Sequence, residues 1–287
     1  MPEELPLKVR MQVLVTRFAT GLLRLFGIRE WVIRTRSALA RRRRRLFERL
    51  GSDRYSSPAL HGMDRKLEQI VGLQGGFFVE AGGHDGYTQS NTYRLESLGG
   101  WSGILVEPMP ELAAEARLNR PRSRVFQCAL VGAGENGTEI EMQFGDLFTT
   151  VAGTEVDPDW TSRGLLLGWR DPRTERVKAR SLSSLLDEAG VQRIDLLSLD
   201  VEGYEAQVLS GLDMQRHAPA WLLIEMHDLE SGRAAIAPAL GGLYVEHSLL
   251  SPLDVLYRRR SREELTRDAV AGGDVGSDPT PPEEQPQ

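Results

Sequence analysis

Six short apolar runs, at 77–81, 104–107, 125–128, 194–199, 221–226 and 243–245, constrain this chain more than any other feature. Several are apolar at nearly every position. A sheet with one wet face would alternate instead, so these runs suit strands buried on both faces by helices. Stretches of helical character at 111–119, 182–189 and 205–211 fall between them. Repeated β–α units of this kind imply a doubly wound, mostly parallel α/β sheet with a Rossmann-like core. Residues 138–144 alternate and follow Gly134-Glu135-Asn136-Gly137, which suggests an inserted hairpin or edge strand.

The 287 residues are enough for one α/β domain with additions at its ends. Residues 61–260 are read as that domain. The single cysteine, Cys128, excludes an internal disulfide or a multi-cysteine metal centre and fits a reducing, cytoplasmic setting. Net charge is uneven: residues 1–54 carry 14 Lys/Arg against 5 Asp/Glu, while the whole chain is at -6. A basic head on an acidic body argues against a nucleic-acid enzyme, whose core would present a basic groove.

Within the head, 1–60, Met11, Leu14, Phe18, Leu22 and Leu25 form one helical stripe, flanked by Arg10, Arg17 and Arg24. Such a helix could lie peripherally on an anionic membrane surface; it could equally pack on its own domain with solvated arginines. Arginines interrupt every window long enough to span a bilayer. Residues 261–287 show no apolar period and are expected to be disordered.

The strongest local signal is Phe77-Phe78-Val79-Glu80-Ala81-Gly82-Gly83-His84-Asp85-Gly86, an apolar strand that ends in an acid and enters a glycine-rich turn. Ligands of open α/β sheets bind beyond strand carboxyl ends. The glycine spacing misses the G-x-G-x-x-G of dinucleotide enzymes, so a nicotinamide oxidoreductase is a poor fit. A second strand, Gly103-Ile104-Leu105-Val106-Glu107-Pro108, also ends in a carboxylate, one suited to accept hydrogen bonds from ribose hydroxyls.

These segments continue with Ser90-Asn91-Thr92, Leu95-Glu96, Asn119-Arg120 and Ile194-Asp195-Leu196-Leu197-Ser198-Leu199-Asp200-Val201-Glu202-Gly203-Tyr204-Glu205. Val208-Leu209-Ser210-Gly211-Leu212 and Leu223-Ile224-Glu225 follow. The ordered set, covering roughly 76–226, resembles the FkbM family of methyltransferases. The resemblance implies a class I methyltransferase fold with S-adenosylmethionine as methyl donor. It implies that Glu80, Gly82, Gly83, His84, Asp85 and Gly86 line the methionine end of the cofactor. Glu107, followed by Pro108, would hold the ribose, and Cys128 with Ala129 would sit near the adenine.

A sulfonium methyl is already activated, so the protein mainly aligns an acceptor, and a hydroxyl acceptor also needs a base. Asp200 and Glu202 follow one core strand; Glu225 and His227 follow the next. All four are expected to converge as catalytic residues, with His227 the first choice of base on its ordinary pKa near neutrality. His84 is a second imidazole, either catalytic or shaping its turn. Hard oxygen ligands and an imidazole in this group could bind a divalent cation, but no metal is assigned. Phe144, Phe148, Trp160 and Trp169 are either walls of the acceptor pocket or core. The family resemblance alone points to a glycan, glycolipid or secondary-metabolite hydroxyl as acceptor. The rival reading is an inactive methyltransferase fold serving as a membrane-associated interaction module.

Overall fold

A computed structural model describes residues 29–145, 149–153 and 173–272. The described residues open with helices α1 (Arg29–Arg49) and α2 (Met63–Val71). Two β–α units and a third strand follow: β1 (Phe77–Ala81), α3 (Tyr93–Gly99), β2 (Ser102–Val106), α4 (Pro110–Asn119) and β3 (Ser123–Phe126). Next come β4 (Ala129–Val131), β5 (Glu139–Phe144), β6 (Thr150–Val151) and β7 (Arg173–Ser181). The second half contains α5 (Leu182–Ala189), β8 (Leu196–Leu199), α6 (Glu205–Ser210), α7 (Met214–His217), β9 (Trp221–Glu225) and α8 (Leu229–Leu240). It closes with β10 (Tyr244–Leu249), β11 (Asp254–Arg259) and α9 (Arg262–Gly272).

Seven strands form one sheet in the order β10-β11-β9-β8-β1-β2-β3. Only β11 runs against its neighbours. Strand period assigns the two faces. Val79, Ile104, Leu197 and Leu222 pack with Leu185 of α5, Val208 of α6 and Ile236 of α8. Phe78, Leu105, Leu196 and Leu223 point the other way, with Leu67 of α2, Leu95 of α3 and Ala116 of α4. Burial on both faces accounts for the continuous apolar runs of the sequence. Strands β4, β7, β5 and β6 form a second, smaller sheet.

The order reverses at β1, which pairs β2 on one side and β8 on the other. That is the switch point at which an open α/β sheet leaves a crevice.

Three elements depart from expectation. β7 alternates buried Val177 and Ala179 with charged Arg176, Lys178 and Arg180, and so reads as polar unless its period is followed. β11 pairs antiparallel to β9 although its apolar core is short and runs into arginines. Residues 262–272 are helical, not disordered. Ser261 Oγ accepts from the Glu264 amide at 3.2 Å, and Glu264 accepts from the Ser261 amide at 2.7 Å, a reciprocal capping box. Arg258 adds an ion pair to Glu264 at 2.7 Å. The stripe at Met11–Leu25 and residues 273–287 lie outside the described residues.

The boundary drawn at residue 60 is crossed by packing. Arg44, in the middle of the arginine run, is buried; its Nη2 donates to Asn119 Oδ1 at 2.7 Å and its Nε to Tyr93 Oη at 2.9 Å. The guanidinium stacks over the Tyr87 ring, 3.5 Å from its centroid. No helix among the described residues is long and apolar enough to cross a membrane.

Arg120, at the end of α4, is fully buried. It donates to Glu96 Oε2 at 2.7 Å, Glu80 Oε2 at 3.1 Å, Thr92 Oγ1 at 2.7 Å, Ser90 Oγ at 2.9 Å and the Gly86 carbonyl at 3.2 Å. One side chain thus ties β1, the loop after it, α3 and α4 together. Removing the cation strands two buried carboxylates. Arg120→Met should therefore lower the unfolding free energy by about 3–5 kcal/mol. Arg124→Met, which breaks an exposed pair to Glu188, should cost about 1 kcal/mol or less. Urea unfolding of both variants checks the contrast.

Candidate active site

A cavity of about 320 Å³ opens over the carboxyl ends of β1, β2, β8 and β9, within the range of small-molecule pockets. Its floor is the turn after β1. Gly82 has φ +81°, and a Cβ there would stand 1.8 Å from the Asp200 carbonyl oxygen, so only glycine lets the two strand ends meet. The Gly82 and Gly83 amides both donate to the Val106 carbonyl, at 3.1 and 3.0 Å, folding the turn towards β2.

The structure gives the two acidic strand ends different tasks. Glu80 shares its sheet face with Phe78 and so points towards α3 and α4. Its carboxylate accepts from Ser90 Oγ at 2.9 Å, the Asn91 amide at 2.9 Å and Thr92 Oγ1 at 2.8 Å, besides Arg120. It borders the cavity, and its lone pairs are taken up by the loop that it builds.

Glu107 is different. It is buried at the cavity wall and accepts only two amides, His84 at 2.9 Å and Met109 at 2.9 Å. Burial pushes its pKa up to about 7, against the opposing pull of His84 and those amides. Two oxygens with about four lone-pair sites leave room for the paired hydroxyls of a ribose.

Gly82, His84, Pro108, Cys128 and Ala129 line the cavity. Gly83, Asp85 and Gly86 stand behind its wall. Burial alone would raise Asp85, but its hydrogen bond to His84 and the Tyr87 and Thr88 amides hold it well below the usual carboxylate range. It is a turn-former, and His84, at φ +45°, shapes the same turn. Burial raises the Cys128 thiol to about 12, so it serves as apolar wall.

The four expected catalytic residues do converge. His227 Nε2 lies 3.2 Å from Glu202 Oε2 and 3.7 Å from Glu225 Oε2. These two carboxylates raise the His227 pKa to about 10 despite partial burial. A raised pKa makes His227 less suited to accept a proton at neutral pH than an ordinary imidazole. Asp200 is pushed well above the carboxylate range by burial, then by Glu225 and Glu202, and hydrogen-bonds to Glu225. Glu225 is held low: burial opposes this, but His227 and Asp200 outweigh it. Glu202 rises to about 7, through burial and Glu225, offset by His227.

Glu202 borders the cavity at φ +56°, a left-handed conformation that costs a non-glycine residue roughly 1–2 kcal/mol. Glu205 Oε1 holds that turn by accepting from the Val201 and Gly203 amides, each at 3.1 Å. Glu202, Glu225 and His227 each offer one ligand atom within 4.8 Å of the others, spacing that a cation could use only by displacing the His227 proton.

Other wall residues were not singled out from sequence. Asp254 reaches the cavity because β11 pairs antiparallel with β9, placing it opposite Glu225; the long-range register has no local signal. Leu60, His61 and Met63 arrive from the segment after α1, and Met142 and Val151 from the second sheet. Phe144 is core, buried with Met109 and Leu112. Phe148, Trp160 and Trp169 lie outside the described residues.

A stretch of 74 residues is 39% identical to the AMB antimetabolite synthetase AmbE of Pseudomonas aeruginosa, covering 25% of this chain and 4% of that protein. Among solved structures, a TehB-like S-adenosylmethionine-dependent methyltransferase from Corynebacterium glutamicum aligns over 79% of this chain and 99% of its own, with 11% identity and TM-score 0.37. An O-methyltransferase family protein from Burkholderia thailandensis aligns over 70% and 57%, with 13% identity and TM-score 0.36. The family model for the methyltransferase FkbM domain matches residues 80–248, more than half of the chain and the span that builds most of the cavity wall. The chain belongs to the FkbM family of S-adenosylmethionine-dependent methyltransferases.

Proposed function

We propose that the protein methylates a hydroxyl group of a glycan, glycolipid or secondary metabolite, with Glu202 as the group that receives the acceptor's proton. The observation that carries this reading is Glu202 itself, a carboxylate at the cavity wall with its pKa raised to about 7. A base poised near the working pH combines availability with driving force.

Glu107 would hold the cofactor's ribose, the Gly82–His84 turn would border its methionine end, and Cys128 with Ala129 would flank the adenine. When bound, S-adenosylmethionine supplies the methyl group: the O–CH3 bond forms as S–CH3 breaks, the electron pair stays on sulfur, and the acceptor's proton is left for the protein. Glu202 takes that proton on a carboxylate oxygen. The His227 imidazolium is a positioning residue. It pairs with the Glu202 carboxylate and keeps it from rising further, while Glu225 and the proton of Asp200 complete the network.

Glu202 is charged above about 7, and His227 keeps its proton up to about 10. With an accepting glycan, kcat/KM should rise about tenfold per pH unit below 7 and level off above it. Glu202→Gln should remove that limb and lower the plateau by about a hundredfold or more. His227→Gln removes a cation, so the limb should move to higher pH; an unmoved limb would detach His227 from the base. By NMR, the His227 ring of the free protein should titrate near 10, and lower in Glu225→Gln.

The acceptor class is tested with methyl-labelled S-adenosylmethionine and a panel of polyhydroxylated acceptors and their amine counterparts. Label recovered on oxygen supports the reading; label on nitrogen or carbon contradicts it. Loss of activity on dialysis against a chelator would make the Glu202–Glu225–His227 group a cation site instead.

A further inference from the structure

Helix α1 has two working faces. One is turned to the domain: Arg44 and Glu48, one turn apart, both bond Tyr93 Oη, and Phe47 meets Tyr55 edge to face at 5.0 Å. Among the described residues, the opposite side has no such partner. Trp31, Leu39, Leu46 and, just beyond the helix, Leu50 are 67%, 59%, 55% and 74% exposed. At 3.6 residues per turn they fall within roughly 100° of arc, a continuous strip along the helix. Together they make up four of the seven large apolar side chains that stand exposed among the described residues.

The strip is bordered by cation. Exposed Arg34, Arg42 and Arg49 run along its Trp31 edge, and Arg43 lies on the other, its guanidinium 4.4 Å from the Tyr55 ring centroid. From Trp31 to Leu50 the sequence has eight arginines and one acid, Glu48, which is occupied by Tyr93 and Ser56. An exposed tryptophan and leucines set among arginines match the interfacial region of a bilayer, where apolar groups enter the acyl boundary and guanidinium groups meet headgroup phosphates.

We infer that the outward face of α1 seats the protein on an anionic lipid surface. Charge complementarity selects that occupant over a neutral apolar partner. The sequence before the helix carries the same composition, with Met11, Leu14, Phe18, Leu22 and Leu25 among arginines. Because the inward face is pinned by buried Arg44, the strip stays outward without unfolding the domain. The anchoring surface is thus part of the folded enzyme.

The test is cosedimentation of the full chain with vesicles of phosphatidylcholine, with and without phosphatidylglycerol. Binding is expected to anionic vesicles only, and to weaken as salt rises. The triple variant Arg34→Gln, Arg42→Gln, Arg49→Gln should lower partitioning roughly a hundredfold. Leu39→Ser, Leu46→Ser, Leu50→Ser should lower it by about tenfold or more. Both variants should keep the wild-type melting temperature and cofactor affinity, since none of these side chains reaches the cavity. Vesicle binding by the variants equal to wild type would overturn the inference and assign any attachment to residues 1–28. Concentration-dependent dimerisation abolished by the leucine variant, without vesicle binding, would overturn it in favour of a second copy.

Discussion

The Arg120 guanidinium, sealed from water between Glu80 and Glu96, is the constraint on which the rest of the site depends. A buried cation demands several acceptors at once, and these come from β1, the loop after it, and α3. Satisfying it fixes where residues 86–92 run, and hence the wall of the cavity. Phe78 lies beneath the same guanidinium, 4.9 Å from ring centroid to Cζ, so core packing and loop position are set by one contact. A direct cofactor ligand in Glu80 would compete with this network; the division of labour leaves Glu107 as the acid with open lone pairs.

At the far side of the cavity the logic is electrostatic. Asp200, Glu202 and Glu225 come together because β8 and β9 are neighbours in the sheet and end at the same edge. Three carboxylates cannot all be charged there, so protons are retained, and His227 supplies the compensating cation. This arrangement favours the protonated form of His227 and raises Glu202 towards neutral pH.

The central strands were legible because a parallel sheet buried on both faces leaves runs such as Phe77–Ala81 with almost no polar interruption. The convergence of Asp200, Glu202, Glu225 and His227 was legible for a related reason: strand ends of a doubly wound sheet share an edge. Other information was not. β7 hides its period beneath arginine and lysine, and β11 depends on antiparallel pairing across the chain. The Ser261–Glu264 capping box was present but outweighed by the polar composition around it. The raised pKa of His227 was illegible in principle, since it follows from oxygen atoms within 4 Å and not from sequence spacing. Arg44 within a run of five arginines was likewise indistinguishable from its exposed neighbours.

We propose Glu107, at the cavity beside the β1 switch point, as the ligand of the cofactor's ribose. Calorimetric titration with S-adenosylmethionine of the wild-type protein and Glu107→Ala tests it most directly. Wild-type binding that weakens about ten- to a hundredfold in the variant, a loss on the order of 1–3 kcal/mol with the fold intact, is the predicted result. Equal affinity in the two folded proteins, or no binding to the wild type, would contradict it.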